Sequence, residues 1–210
     1  MNILDKNYNP ELWNGIKDNP NLKDALEALK ESYNKYCIGE IPSPKFSHFR
    51  LFRDVGDRNT YQKDFFIRQH RLFTCAALSL IYSDNEHYFE LLQDTIFEIC
   101  DMFAWALPAH MGELDKINQM ELDLDACTMG MALAMIKRLF GNRLHPLIIN
   151  RIDTEIDRRI VEPFLAQRWH WEFRANNWTT VCTGGVGCTL MLNRPDVFEL
   201  VKDRLNHNMQ

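Results

Sequence analysis

A helical period runs through most of this chain, and no stretch alternates apolar and polar residues in the way a strand requires. From Thr60 to Tyr82, apolar Phe65, Phe66, Phe73, Ala76, Ala77, Leu80 and Ile81 recur at three- and four-residue spacings. That spacing puts them on one face of an amphipathic helix. Ser83-Asp84-Asn85 breaks the helix and caps a second, from about Glu86 to Ala104,. A second pair runs from Glu121 to Phe140, ended by Gly141-Asn142, and from Pro146 to about Ala166,. Pro163 lacks an N–H, which predicts a kink near the end of the latter helix,. A third pair runs from about Trp178 to Leu192 and, after Asn193-Arg194, from Pro195 to Leu205. Asn21 to Cys37 predicts one more helix upstream.

The pairs begin near residues 60, 121 and 178, which is too long a step for tetratricopeptide or HEAT solenoids,. The expected fold is all-α: a partial, incomplete α/α toroid built from successive antiparallel helical hairpins. Residues 1–58 form an N-terminal helix and extended lead-in, and residues 59–210 three hairpins of a single domain, truncated at the C-terminus. In up-and-down hairpins the links between pairs share a rim. The irregular segments Ile41–Arg58, Trp105–Met120 and Gln167–Asn177 are therefore expected to converge. With Trp178 at the edge they hold four of the five tryptophans, and also His48, His110 and His170.

Composition narrows the function. The chain is 46% hydrophobic with few prolines and glycines, which excludes a disordered chain,. No apolar run is long enough to span a bilayer, and Met1 to Lys6 lacks the core of a signal peptide,. The formal net charge of −5 argues against a nucleic-acid partner,. The six cysteines include no C-x-x-C pair and lie mostly in apolar helical patterns. They read as reduced core thiols of a cytoplasmic protein. The rim differs from the whole: seven basic residues (Lys45, Arg50, Arg53, Arg58, Lys116, Arg168, Arg174) face five acidic ones (Asp54, Asp57, Glu113, Asp115, Glu172). A slightly basic aromatic rim on an acidic body suits an anionic sugar.

The densest segment is Arg168-Trp169-His170-Trp171-Glu172-Phe173-Arg174-Ala175-Asn176-Asn177-Trp178. One asparagine serves as a helix cap, and the other is left to donate its amide outward. Gly184-Gly185-Val186-Gly187 lacks the strand–loop–helix context of a phosphate loop and reads as close helix packing,. His110 is a candidate for contacting substrate or handling a proton, and His110-Met111-Gly112-Glu113 does not suit a metal pair,. Asp123 and Asp125 sit at a helix start, where the dipole accounts for them,.

These residues resemble the heparinase II/III-like family of polysaccharide lyases, from about Trp105 to Leu192. The resemblance rests on Trp105-Ala106-Leu107-Pro108-Ala109-His110, Glu121-Leu122-Asp123-Leu124, and Asn176-Asn177-Trp178 followed by Val181 and Gly184-Gly185-Val186-Gly187. It implies a toroid followed by a β-sandwich, and β-elimination on a uronic-acid polysaccharide without a cofactor or metal. An amide neutralises the uronate carboxylate while a base removes the α-proton. The amide maps onto Asn177 or Asn176, with Asn177 favoured, and His110 is the upstream histidine. Trp105, Trp169, Trp171, Trp178, Arg174 and His170 are the expected sugar contacts. The family's catalytic tyrosine lies downstream of the asparagine, and no tyrosine here follows Trp178. The chain is thus expected to be the N-terminal portion of such an enzyme, inactive alone, with an open flank that favours self-association. The alternatives are a toroid glycoside hydrolase using Glu113 and Glu172, and a non-catalytic carbohydrate-binding domain.

Overall fold

The computed structural model describes Trp13, residues 15–112 and residues 120–208. Among the described residues every regular element is helical and there is no strand. No helix is long and apolar enough to cross a membrane. A 3-10 turn, Pro20–Leu22, leads into α1 (Lys23–Tyr36). Then come α2 (Phe46–Val55), α3 (Asn59–Ile81), α4 (Glu86–Cys100), α5 (Leu124–Phe140) and α6 (Pro146–Ile156). A π-helical turn, Asp157–Val161, joins α6 to the short α7 (Glu162–Ala166). The chain closes with α8 (Asn177–Asn193) and α9 (Pro195–Asn208).

Polar side chains start α4, α6 and α8 by satisfying orphan N–H groups,. Asn85 accepts from the His87 N–H at 3.1 Å, and Asn176 accepts from the Trp178 N–H at 3.1 Å. His145 Nδ1 accepts from the Leu147 N–H, with Pro146 at the first helical position.

Two local expectations need correction. The first irregular segment contains α2, an amphipathic helix that buries Phe49 and ends at Gly56, whose φ of 77° suits a residue without a Cβ,. α4 stops at Cys100 and not at Ala104. There the backbone carbonyls find side-chain donors in place of the next helical turn. Trp105 Nε1 donates to the Ile99 carbonyl at 3.0 Å, and Arg159 donates to the carbonyls of Met102 (2.6 Å) and Phe103 (3.2 Å). Just before Pro163 the helix does not stay in α register. The register widens upstream, where the Glu162 N–H reaches the Asp157 carbonyl five residues back,.

Hairpin partners pack together: α3 with α4, α5 with α6, α8 with α9. Between hairpins, α5 lies against both α3 and α8, and α4 lies against α6. One core joins them, including Phe65, Leu72, Leu92, Ile96, Leu133, Ile152, Val186 and Leu190.

The glycines of α8 divide by environment. A Cβ at Gly185 would stand 2.8 Å from both the Cβ and the carbonyl oxygen of Cys127, so α5 and α8 approach too closely for any side chain there. A Cβ at Gly184 would meet nothing within 4 Å. Gly184→Ala is therefore expected to stabilise the protein by about 0.5–1 kcal/mol, because alanine loses less backbone entropy in a helix. A rise in the urea midpoint at unchanged slope is the check.

Candidate functional site

The three irregular segments meet. Arg53, in α2, donates to the carbonyls of Met111 and Gly112. Arg58, just before α3, places NH2 3.1 Å from His110 Nε2. The His110 ring lies 4.8 Å from Trp178 at 68°, and the His170 ring lies 5.4 Å from Trp178.

Asp123 organises this meeting point. It is fully buried and begins α5 as its N-cap. One carboxylate oxygen accepts from the Ala126 N–H at 2.7 Å. The other accepts from the Leu107 N–H at 3.0 Å and faces His110 Nδ1 at 2.7 Å. An ionised carboxylate only accepts and a guanidinium only donates. His110 must therefore carry its proton on Nδ1 and turn the Nε2 lone pair toward Arg58. The product is a chain of three groups, Asp123–His110–Arg58, running from a buried anion through an oriented imidazole to an exposed cation.

Two more carboxylates flank the chain. Burial pushes Glu121 up to about 7, with the negative Asp123 adding to the shift and His110 opposing it. Burial pushes Asp125 up to about 6, again reinforced by Asp123 and opposed by His110 and Arg58. Both acids bind protons more tightly folded than unfolded. Their contribution to stability is full below about pH 4 and falls as pH rises toward 7,. The double substitution Glu121→Gln, Asp125→Asn is expected to raise the melting temperature at pH 8 and leave it unchanged near pH 4. Paired thermal melts across that range check the sign.

His110, Asp123 and Asp125 each offer a ligand atom within 4.8 Å of the others, close enough for a metal. Three donors already occupy Asp123, however, and a positive guanidinium stands against His110 Nε2. This donor set suits proton handling better than coordination of a cation.

The asparagine pair resolves. Asn176 is the cap of α8. Asn177 opens the helix with an exposed side chain that makes no hydrogen bond among the described residues. Arg174 and His170 are also exposed. Burial, and then the charge of Arg174, hold the His170 imidazole below its usual value.

Three expected sugar platforms are not available. Trp105, Trp169 and Trp171 are buried, at 1%, 4% and 0% exposure. Their indole N–H groups donate to the carbonyls of Ile99, Pro163 and Leu122. They pin the rim loops to the core, and only the half-buried Trp178 remains at the site. Glu172 is likewise unavailable as a hydrolytic acid. Its buried carboxylate accepts from Arg204 Nε at 2.8 Å, from Asn208 at 3.2 Å and from the Trp169 N–H at 2.7 Å, and it pairs with Arg168. Burial opposes its ionisation, but these partners win and hold it below the usual carboxylate range. Glu113, Asp115 and Lys116 lie outside the described residues.

Arg58, Glu121, Asp123 and Asp125 escaped the sequence reading as site residues. In sequence Asp123 is legible only as an acid at a helix start, because the partners of its carboxylate depend on the fold of residues 105–112. In comparisons with known proteins, no family model matches this chain and no curated protein matches it.

Proposed function

We propose that this rim is the uronate site of a polysaccharide lyase of the heparinase II/III-like kind, set in an arc of an α/α toroid. The observation that carries the reading is the Asp123–His110–Arg58 chain with the His110 ring against Trp178 at the start of α8, the residue that follows the unbonded Asn177. The arc is supported by the way first helices neighbour first helices (α3, α5, α8) while α4 neighbours α6.

The chemistry follows from the donors present. A uronate carboxylate arriving at the rim exchanges water for the exposed Arg58 guanidinium, a planar fork that suits a carboxylate. That draws Arg58 off His110 and frees the Nε2 lone pair. Asn177 donates its amide to the same carboxylate. Neutralised in this way, the carboxylate accepts electron density as the neighbouring C–H bond breaks. His110 Nε2 takes that proton, and Asp123 stabilises the imidazolium through Nδ1–H. The electron pair then expels the β-oxygen substituent, which takes a proton from water as the C–O bond breaks, and leaves an unsaturated uronate.

The first half of this sequence has its own readout. In deuterated water, the 210-residue chain is expected to exchange the proton α to the carboxylate of a uronate oligosaccharide. His110→Ala and Asn177→Ala should each abolish that exchange with the fold intact. Absence of both exchange and unsaturated product across a panel of uronates rejects the reading.

A further inference from the structure

A second cleft, of about 470 Å³, opens between residues 43–45, α2, the first half of α3 and the end of α4. None of its lining residues belongs to the His110 cluster. Its size is ordinary for a small-molecule site.

The walls are aromatic. Phe46, Phe49, Tyr61 and Phe103 line it, with Phe49 edge-on to both Tyr61 (5.5 Å, 81°) and Phe103 (5.4 Å, 82°). Phe46 is 75% exposed and Phe103 49%, so the cleft presents apolar surface that an occupant would cover,.

Two polar groups in it are unspent. Tyr61 is 3% exposed, yet its hydroxyl makes no hydrogen bond among the described residues. The hydroxyl is not among the fully buried polar atoms without a partner, so it opens to the cleft, where a ligand acceptor can take the place of water,. Burial also pushes Tyr61 up to about 12, so it remains a neutral donor. Lys45 is exposed at the mouth, and its ammonium has no partner among the described residues. The other charges on the wall are matched. Arg68 pairs with Glu98 at 3.5 Å and also donates to the Glu98 and Pro42 carbonyls. Asp101 pairs with Arg151. The charge left over is the single positive one of Lys45.

We propose that this cleft binds a small aromatic carboxylate, its ring among Phe46, Phe49 and Phe103 and its carboxylate held by the Tyr61 hydroxyl and the Lys45 ammonium. The site stands independently of the uronate reading.

Calorimetric titration of the 210-residue chain with a naphthalene carboxylate, and with the equally sized naphthyl methanol, tests the proposal. The carboxylate is expected to saturate one site about tenfold more tightly than the alcohol. Tyr61→Phe, which keeps the ring, should weaken the carboxylate about tenfold. Lys45→Met should weaken it about threefold and leave the alcohol unchanged. Melting temperatures establish that the variants are folded. If Tyr61→Phe unfolds, the exposed Lys45→Met carries the test. No saturable binding, equal binding of acid and alcohol, or carboxylate affinity indifferent to the folded variants would each overturn the proposal.

Discussion

Asp123→Ala is expected to cost at least about 3 kcal/mol of stability, more than a lost helix cap alone. A cap contributes about 1 kcal/mol, but here the N–H groups of Leu107 and Ala126 and the His110 Nδ1–H would all lose a buried acceptor,. Urea unfolding measures the loss. The loop at residues 105–112 should also loosen, seen as faster amide exchange at Leu107. Asp123→Asn separates the roles. An amide keeps one acceptor for the cap but leaves only one carbonyl for three donors. Its NH2 group then faces the Leu107 N–H or the Ala126 N–H. An intermediate loss of stability with a displaced His110 is the expected outcome, and a variant as stable as the parent would deny the carboxylate its central place.

Gly185→Ala carries the second large effect, about 3 kcal/mol of destabilisation. The added methyl group would sit 2.8 Å from the Cys127 carbonyl oxygen and 2.9 Å from its carbonyl carbon. Backbone cannot rotate out of the way, so α5 and α8 must separate and strain the core between them. For the same reason, shortening Cys127 to glycine should recover only part of the loss. The contrast with Gly184→Ala, one residue away and expected to stabilise, is a sharp test of the helix register. A urea midpoint that moves in the same direction for both substitutions would contradict it.

The long helices were legible because each repeats its apolar face over many turns, and Gly141 and Asn193 mark the ends of α5 and α8. α2 was not, because ten residues with one buried aromatic give little period to read. The convergence of the three irregular segments follows from the up-and-down order of hairpins, and contacts from Arg53, Arg58 and Trp178 realise it. The tryptophans misled for a physical reason. An indole is as useful in a core as on a sugar, and sequence does not show that Trp105, Trp169 and Trp171 each find a backbone carbonyl inside,. The same blindness hid Asp123. A carboxylate at a helix start is explained by the dipole until the chain folds a histidine onto it.

In the proposed reading, the buried acids around one imidazole supply the rim's chemistry and the exposed Arg58 recognises a carboxylate. The direct test is the affinity of the 210-residue chain for a uronate oligosaccharide and for the same oligosaccharide with its carboxylates reduced to alcohols. The native uronate is expected to bind about tenfold more tightly, and Arg58→Ala is expected to erase that difference while leaving the reduced sugar unaffected. Equal affinity for the two sugars, or an undiminished preference in Arg58→Ala, would contradict a uronate site at this rim.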